Sequence, residues 1–344
     1  MQGLVGAHLS PASASPPSSS AMWTAINPHP RVSDVDVARF DYAAYAWQDI
    51  KVELRPDGVA IVWLDRAEQY NTFTGPMAFS IVFAFELFDA DDRVRVAVIT
   101  GAGGKVFCAG AYLAQGFGAI ADHAQGHRDG GGQVGLAILR CRKPSIAAIN
   151  GNAIGIGVTM TLSCDFRLVA DNAKVGIPFV KRGIAMEACS SYLLPRLVGV
   201  SKAMDIILTG EVRAPSDESY AALWTRAPMP QNKVLDESLK LATSLAQNSA
   251  VSMALCKAQM WRQLDSPEDA HLLESQGIWE TSRLDGLEGA KSFLEKRKPD
   301  FPGTMADLDR FAFWPWWKQT EVAKYPRGPE SLRAATALAA KSKL

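Results

Sequence analysis

The stretch Ser145-Ile-Ala-Ala-Ile-Asn-Gly-Asn-Ala-Ile-Gly-Ile-Gly157 decides the fold, because a short apolar run is followed at once by closely spaced glycines. An apolar run of this length that ends at Asn-Gly is typical of a buried strand, here Ser145–Ile149. The same pattern occurs earlier, where the run Val94–Thr100 is followed by Phe107-Cys-Ala-Gly-Ala-Tyr112. Each glycine-containing loop can present one free backbone N–H, and two converging N–H groups would form an oxyanion hole. Two tight strand-to-helix turns explain the same spacing without any function.

The glycine spacings argue against two nucleotide-binding motifs. Gly101-Ala-Gly-Gly104 follows a strand, but Val106 stands where G-x-G-x-x-G requires its third glycine. Gly155-Ile-Gly157 fails the same test at Met160, and no G-x-x-x-x-G-K-[ST] occurs. The sequence therefore disfavours a dinucleotide site and a P-loop.

Strand and helix signals alternate around these loops, and only helix signals follow them. Val52–Leu54 and Val59–Leu64 flank a Pro-Asp-Gly turn and predict a hairpin, Pro76 marks a helix start, and Phe166–Ala170 predicts another strand. Helices are predicted at Ser201–Leu208, Lys233–Gln247, Ser252–Leu264 and Pro267–Arg283, with an Asp285/Glu288 capping box before one that ends at Glu295. This order predicts an α/β fold with a helical C-terminal region.

Composition excludes several classes of protein. The chain has 344 residues, 48% apolar and 21% charged, which suits one large domain or two smaller ones. With 36 basic and 36 acidic residues it has no net charge to attract nucleic acid. Apolar runs such as Ile81–Phe85 are too short for a membrane span. Its five cysteines are scattered and never form C-x-x-C, so we expect no disulfide framework, no metal site and an intracellular, soluble protein.

The two ends differ from the middle. Residues 1–30 contain no Asp, Glu, Lys or Arg, and Ser10 to Ser20 is nearly all Ser, Pro and Ala, so we expect a disordered arm over residues 1–46. The chain finishes with Ser342-Lys343-Leu344, which matches the address read by the peroxisomal import receptor, although a coincidental polar tail also explains these residues. We therefore expect a peroxisomal protein with that receptor as a partner.

Several motifs keep their order and spacing in a way that resembles the crotonase (enoyl-CoA hydratase/isomerase) superfamily, from about Gln48 to Trp317. They are Leu64-Asp-Arg66 with Asn71, Val98–Gly101, Phe107–Leu113, Lys143-Pro144, Ala148–Gly157, Cys164-Asp165, Tyr192–Gly199 and Phe293–Arg297. The resemblance implies a ClpP-like spiral of ββα units, a homotrimer or hexamer, and an acyl-CoA thioester as substrate rather than a bound cofactor. It divides the chain into a core at 47–250, a helical trimerisation region at 251–300, and an aromatic strap and tail at 301–344.

The resemblance also assigns roles to residues. It places the oxyanion-hole N–H groups on Ala111 and Ile156, although the family usually has Gly at the second position. The residues implied to contact substrate or CoA are Ala109, Gly110, Tyr112, Gly155, Gly157, Phe293 and Lys296. The last two match positions that help to hold the CoA nucleotide, often on a neighbouring subunit. Lys296 is also explained by an ordinary solvated position at a helix end.

The carboxylates indicate which reaction to expect. The two Glu positions of a family hydratase are occupied by Thr159 and Phe179, and neither side chain transfers protons near neutral pH. Glu187 remains, in a segment that resembles the peroxisomal Δ3-Δ2-enoyl-CoA isomerases, where a Glu moves a proton from C2 to C4. Apolar neighbours would raise the pKa of Glu187, whereas a solvated Glu at a helix start is the alternative.

Tyr112 departs from the family pattern, which has Asp there. A Tyr is also found in the related 4-chlorobenzoyl-CoA dehalogenases, so a dehalogenase- or thioesterase-like reaction with Glu187 as nucleophile stays open. A specialised peroxisomal step of a secondary-metabolite pathway and a catalytically inactive CoA-ester-binding protein are further alternatives. The aromatic run Phe311–Trp317 recurs in a hydratase branch of the superfamily, although packing on the core or at a subunit interface explains it equally well.

Overall fold

The computed structural model describes residues 29–113, 127–320 and 322, all within one structural unit, His29–Lys324. Residues 1–28 of the expected arm, residues 114–126 after the first glycine loop, and Ser342-Lys343-Leu344 lie outside the described residues. The peroxisomal address and the import receptor therefore stay predictions.

Two sheets form the centre of the described structure. Their strands are β1 (Ile50–Leu54), β2 (Val59–Leu64), β3 (Val96–Gly101), β4 (Val106–Cys108), β5 (Ser145–Ile149), β6 (Asn152–Ile154), β7 (Phe166–Val169), β8 (Val175–Gly176) and β9 (Val212–Arg213). The first sheet has the order β1-β2-β3-β5-β7, and the second has the order β9-β8-β6-β4. The hairpin β1–β2 is antiparallel as predicted, whereas β2, β3, β5 and β7 run parallel.

Successive strands alternate between the two sheets. The pairs β3–β4, β5–β6 and β7–β8 each give one strand to the first sheet and one to the second, and a helix follows each pair. This repeat confirms the predicted spiral of ββα units. Every residue of β3 and β5 is buried, which explains their continuous apolar runs, because a parallel strand inside a sheet is covered on both faces.

Helices surround the sheets and continue beyond them. They are α1 (Gly75–Ala90), α2 (Gly130–Arg140), α3 (Ile156–Thr159), α4 (Ser190–Val198), α5 (Val200–Thr209), α6 (Gln231–Leu245), α7 (Ala250–Trp261), α8 (Pro267–Arg283), α9 (Asp285–Leu294) and α10 (Met305–Leu308). Helix α1 begins as predicted, with Thr74 accepting from Met77 N–H and Pro76 in the first turn. Helix α2 packs against α1, and α6 packs against the first sheet. No helix in the described ranges is both long and apolar enough to cross a membrane.

The expectation of disorder is wrong for residues 29–46, which fold onto α1. Tyr42 is buried, and its hydroxyl donates to Asp91 at 2.8 Å. Phe40, Tyr45 and Trp47 pack around Phe83 of α1. Burial of several aromatic rings offsets the entropy lost on ordering these residues. The prediction of disorder is based on the charge-free composition of residues 1–30, which does not include these aromatic residues.

The capping box predicted at Asp285 is also wrong. Asp285 is buried, and its carboxylate accepts from the Ser249 hydroxyl at 2.5 Å and from Gly303 N–H at 2.8 Å. Glu288 pairs with Arg297 rather than with the helix start. A contact between distant segments therefore takes the carboxylate that the local pattern assigned to the helix.

The C-terminal aromatic run packs within this chain. Phe311 is buried in a small apolar cluster with residues of α7 and α10. The indole N–H of Trp316 donates to the carbonyl of Arg262 at 3.1 Å. These contacts agree with the interpretation of the run as an aromatic strap.

Candidate active site

The two glycine loops lie side by side at one edge of the second sheet. Strands β4 and β6 are parallel neighbours, so the loops that follow them leave the sheet together. Gly110 and Gly155 have φ angles of 102° and 56°, which residues with a Cβ rarely adopt. A Cβ on Gly157 would lie 2.4 Å from the carbonyl oxygen of Cys108, so this glycine allows the two loops to touch.

Each loop presents one unused backbone N–H. Phe73 N–H donates to the Gly110 carbonyl at 2.8 Å, and the Phe73 carbonyl accepts from Tyr112 N–H at 2.9 Å. Ala111 lies between these two bonds, so its N–H points away from Phe73. Ile156 is the first residue of α3, where helical bonding leaves the N–H free. Among the residues that the structure describes, neither N–H has an acceptor. Two free donors on touching loops are what an oxyanion hole requires.

Glu187 lies in a strained segment just before α4. The next two residues, Ala188 and Cys189, have φ angles of 53° and 57°, a conformation that costs about 1–2 kcal/mol for a residue with a side chain. Ser190 steadies the turn, because its N–H and hydroxyl donate to the Glu187 carbonyl at 3.0 and 2.5 Å. Such strain at a carboxylate marks a candidate functional position.

The Glu187 carboxylate lies between α3 and the start of α2. Its Oε1 accepts from the Thr159 hydroxyl at 2.5 Å. Its Oε2 occupies the space beside Gly131, where an added Cβ would lie 1.7 Å from Oε2 and 2.8 Å from the Ile156 Cδ1. The carboxylate is therefore adjacent to the residue that carries the second free N–H.

The environment of Glu187 raises its pKa to about 7. Burial is the largest cause, because it penalises the charged form, and the negative charge of Asp129 adds to it. The hydrogen bond from Thr159 acts in the opposite direction. Glu187 therefore gains and loses a proton close to neutral pH.

Two other predicted residues of the first loop, Ala109 and Tyr112, contact residues outside the loop. Ala109 N–H donates to the carbonyl of Tyr70 at 3.1 Å, which fixes the start of the loop. Tyr112 is 39% exposed, and the guanidinium of Arg66 lies 5.5 Å from the centre of its ring. The Tyr112 ring is thus engaged by Arg66 next to the site.

The structure does not bring the two predicted CoA-binding residues into this site. Phe293 is 81% exposed near the end of α9, and Lys296 follows with a φ angle of 54°. Within the described part of the chain, no hydrogen bond or ion pair joins either residue to Glu187 or to the glycine loops.

Sequence reasoning missed three features of the site. It treated Thr159 only as a replacement for Glu, whereas Thr159 is the hydrogen-bond donor to Glu187. It overlooked Gly131, which makes room for the carboxylate, and Asp129, whose carboxylate accepts from Ala188 N–H at 3.2 Å. The signal in the sequence was Asp129 followed by three glycines, an N-cap before a glycine-rich first turn.

A cavity of about 560 Å³ borders Glu187 on the side of α2. Its walls include Val82, Phe85, Leu136 and Met186 together with several charged side chains. In the described ranges, no group of three or more His, Cys, Asp or Glu residues is arranged to hold a metal ion.

The alternating ββα spiral, with its two glycine loops beside one carboxylate, defines a crotonase fold. The chain belongs to the family described as enoyl-CoA hydratase/isomerase, which it matches over residues 55–304. It is an enoyl-CoA hydratase/isomerase-type enzyme that acts on acyl-CoA thioesters.

Named relatives agree with the family. The chain is 42% identical to enoyl-CoA hydratase ACTT3 of Alternaria alternata over 270 residues, which cover 78% of this chain and 91% of that protein. It is 32% identical to the mevalonyl-coenzyme A hydratase SIDH of Beauveria bassiana, over 74% of this chain and 95% of that protein. The crystal structure of the enoyl-CoA hydratase from Bacillus anthracis matches with a TM-score of 0.68 at 28% identity, over 75% of this chain and 100% of that one. All three carry the name hydratase, so they do not support the expected closeness to isomerases.

Proposed function

We propose that this protein isomerises 3-enoyl-CoA to 2-enoyl-CoA esters with Glu187 as a single proton-shuttling base. The observation that carries the proposal is the position of this carboxylate, which lies against Gly131 and Thr159 and near the side chain of Ile156, the residue with the second free N–H. The nearby Asp129 is engaged by backbone N–H groups and caps α2.

The reaction follows from these groups. The thioester oxygen would accept hydrogen bonds from the N–H groups of Ala111 and Ile156. Glu187 removes a proton from C2, and the electron pair moves onto the thioester oxygen as a dienolate, which the two donors stabilise. The protonated Glu187 then returns the proton to C4, so that the double bond ends between C2 and C3. One base suffices, and a pKa near 7 suits both steps.

Hydration of 2-enoyl-CoA is the second candidate, because a relative with 42% identity is named a hydratase. Thr159 and Phe179 stand where the resemblance implies the two Glu residues of that reaction. Hydration here would need Glu187 both to activate the water and to deliver the proton to C2. The product distinguishes the two reactions, since only hydration adds the mass of water.

Substitution of the base tests the proposal. Glu187→Gln keeps the size of the side chain but removes the base, so we expect turnover to fall by about 10³-fold or more while CoA-ester binding stays within about threefold. Glu53→Gln, at an exposed position of β1, is the matched control and should leave turnover unchanged. Retention of activity in a folded Glu187→Gln variant would refute the role of Glu187.

We also propose, as the resemblance implies, that the protein forms a homotrimer or a hexamer. The support is a set of exposed large apolar side chains on α8 and α9, namely Leu272, Ile278, Trp279, Leu287, Phe293 and Leu294. Apolar surface concentrated on one region indicates an interaction site. Light scattering coupled to gel filtration tests this, and a monomer at micromolar concentration would contradict it.

A further inference from the structure

Asp129 joins the start of α2 to the segment that carries Glu187. It is the N-cap residue of α2, and its Oδ2 accepts from Gly132 N–H at 2.5 Å. The same oxygen accepts from the N–H of Ala188 at 3.2 Å. One carboxylate oxygen therefore connects two elements that are 59 residues apart in the sequence.

Both of these elements define where the Glu187 carboxylate lies. The first turn of α2 provides the space beside Gly131 that Oε2 occupies. The segment after Glu187 is strained at Ala188 and Cys189, so it needs contacts that hold it in this conformation. Ser190 supplies two of these contacts from within the segment, and Asp129 supplies one from outside it.

We propose that Asp129 is a positioning residue for the reaction, because its carboxylate holds the Glu187 segment on the start of α2. This inference rests on the proposed role of Glu187 as the base. The same hydrogen bond brings the negative charge of Asp129 close to Glu187, since Asp129 binds the N–H of the residue directly after Glu187.

Several other titratable groups lie around Glu187. Thr159 from α3 is neutral, and burial raises the pKa of the thiols of Cys108 and Cys189, so both stay neutral near pH 7. Further charged side chains line the adjoining cavity, namely Glu86, Asp89, Arg128 and Arg140. Among the described residues, the charge of Asp129 adds to the effect of burial in raising the pKa of Glu187.

Two substitutions separate the hydrogen bond from the charge. Asp129→Asn keeps a carbonyl oxygen that can accept from both N–H groups, so kcat should stay within about threefold. Its loss of charge should move the acid limb of the kcat/KM profile down by about 0.5 pH unit, because Asp129 is exposed and its effect is partly screened. Asp129→Ser keeps a helix N-cap but is too short to hold Ala188, so kcat should fall by about 10-fold with KM within about twofold.

A titration that needs no substrate keeps this inference separate from the proposed function. In protein labelled with ¹³C at the Glu carboxyls, the Glu187 signal is assigned by its absence in Glu187→Gln, and its pKa is compared between wild type and Asp129→Asn. We expect a lower pKa in Asp129→Asn, and Asp236→Asn on the exposed face of α6 should leave it unchanged. An unchanged Glu187 titration in Asp129→Asn overturns the role of the charge. Wild-type kcat in a folded Asp129→Ser variant, checked by circular dichroism and thermal melting, overturns the positioning role.

Discussion

Substitution of Gly131 by alanine separates catalysis from folding. In the structure, an added Cβ would lie 1.7 Å from the Oε2 of Glu187, whereas ordinary contact begins at 3.4 Å. The carboxylate therefore has to move by 3.4 − 1.7, or about 1.7 Å. The added Cβ would also lie 2.8 Å from the Ile156 Cδ1. Because both obstructing groups are the ends of side chains, they can move without unfolding the chain.

The displacement sets the size of the expected effect. A misplacement of about 1 Å at a reacting group can cost about 10²-fold in rate, so Gly131→Ala should lower kcat by at least about 10²-fold. This corresponds to about 2.7 kcal/mol of activation free energy. The free energy of unfolding should change by no more than about 1 kcal/mol, since alanine favours the helix by a similar amount.

The neighbouring glycine is the matched control. A Cβ on Gly130 would meet Ala78 at 3.6 Å and Phe73 at 3.8 Å, both ordinary contacts. Gly130→Ala should therefore keep wild-type kcat and gain up to about 1 kcal/mol in stability. Steady-state kinetics and urea unfolding of both variants provide the test. If Gly131→Ala works as fast as Gly130→Ala, the position assigned to the Glu187 carboxylate is wrong.

Three further predictions follow from the environment of Glu187. The wild-type kcat/KM should rise with pH and level off above about 7, where the base is ionised; a flat profile from pH 5 to 8 would contradict this. The raised pKa of Glu187 contributes to the stability of the folded state, fully at pH values below 4.5, the ordinary pKa of a glutamate. This stabilisation is lost as the pH rises to about 7. Wild type should therefore lose up to about 3 kcal/mol relative to Glu187→Gln over that range in urea titrations, and parallel pH dependences would refute it. Thr159→Val removes a hydrogen bond that lowers the Glu187 pKa, so the acid limb of its kcat/KM profile should lie at higher pH than that of wild type. A shift to lower pH would contradict the effect assigned to this bond.

The sequence predicts the parts of this fold that depend on local patterns. Continuous apolar runs mark β3 and β5 as covered strands, and glycines after them mark loops whose backbones approach closely. Glu187 is predicted as the base through the resemblance of its segment to the isomerases, and its apolar neighbours in the sequence predict a raised pKa.

Contacts between distant segments are not encoded in such patterns. The bond from Thr159 to Glu187 spans 28 residues, and that from Ala188 to Asp129 spans 59. Asp285 fits a capping box by spacing alone, yet it is buried against Ser249 once the helices pack. These partners are selected by tertiary packing, which overrides the local preference of each side chain.

The most direct test of the central claim is incubation of the protein with 3-enoyl-CoA and, separately, with 2-enoyl-CoA in D2O, with the products read by mass spectrometry. We predict conversion to the 2-enoyl ester, incorporation of deuterium wherever Glu187 exchanges its proton with solvent, and no product heavier by one water. Glu187→Gln should show neither conversion nor exchange. If the 3-enoyl ester stays unchanged and unlabelled while 2-enoyl-CoA gains water, single-base isomerisation is contradicted and hydration is the reaction of this site.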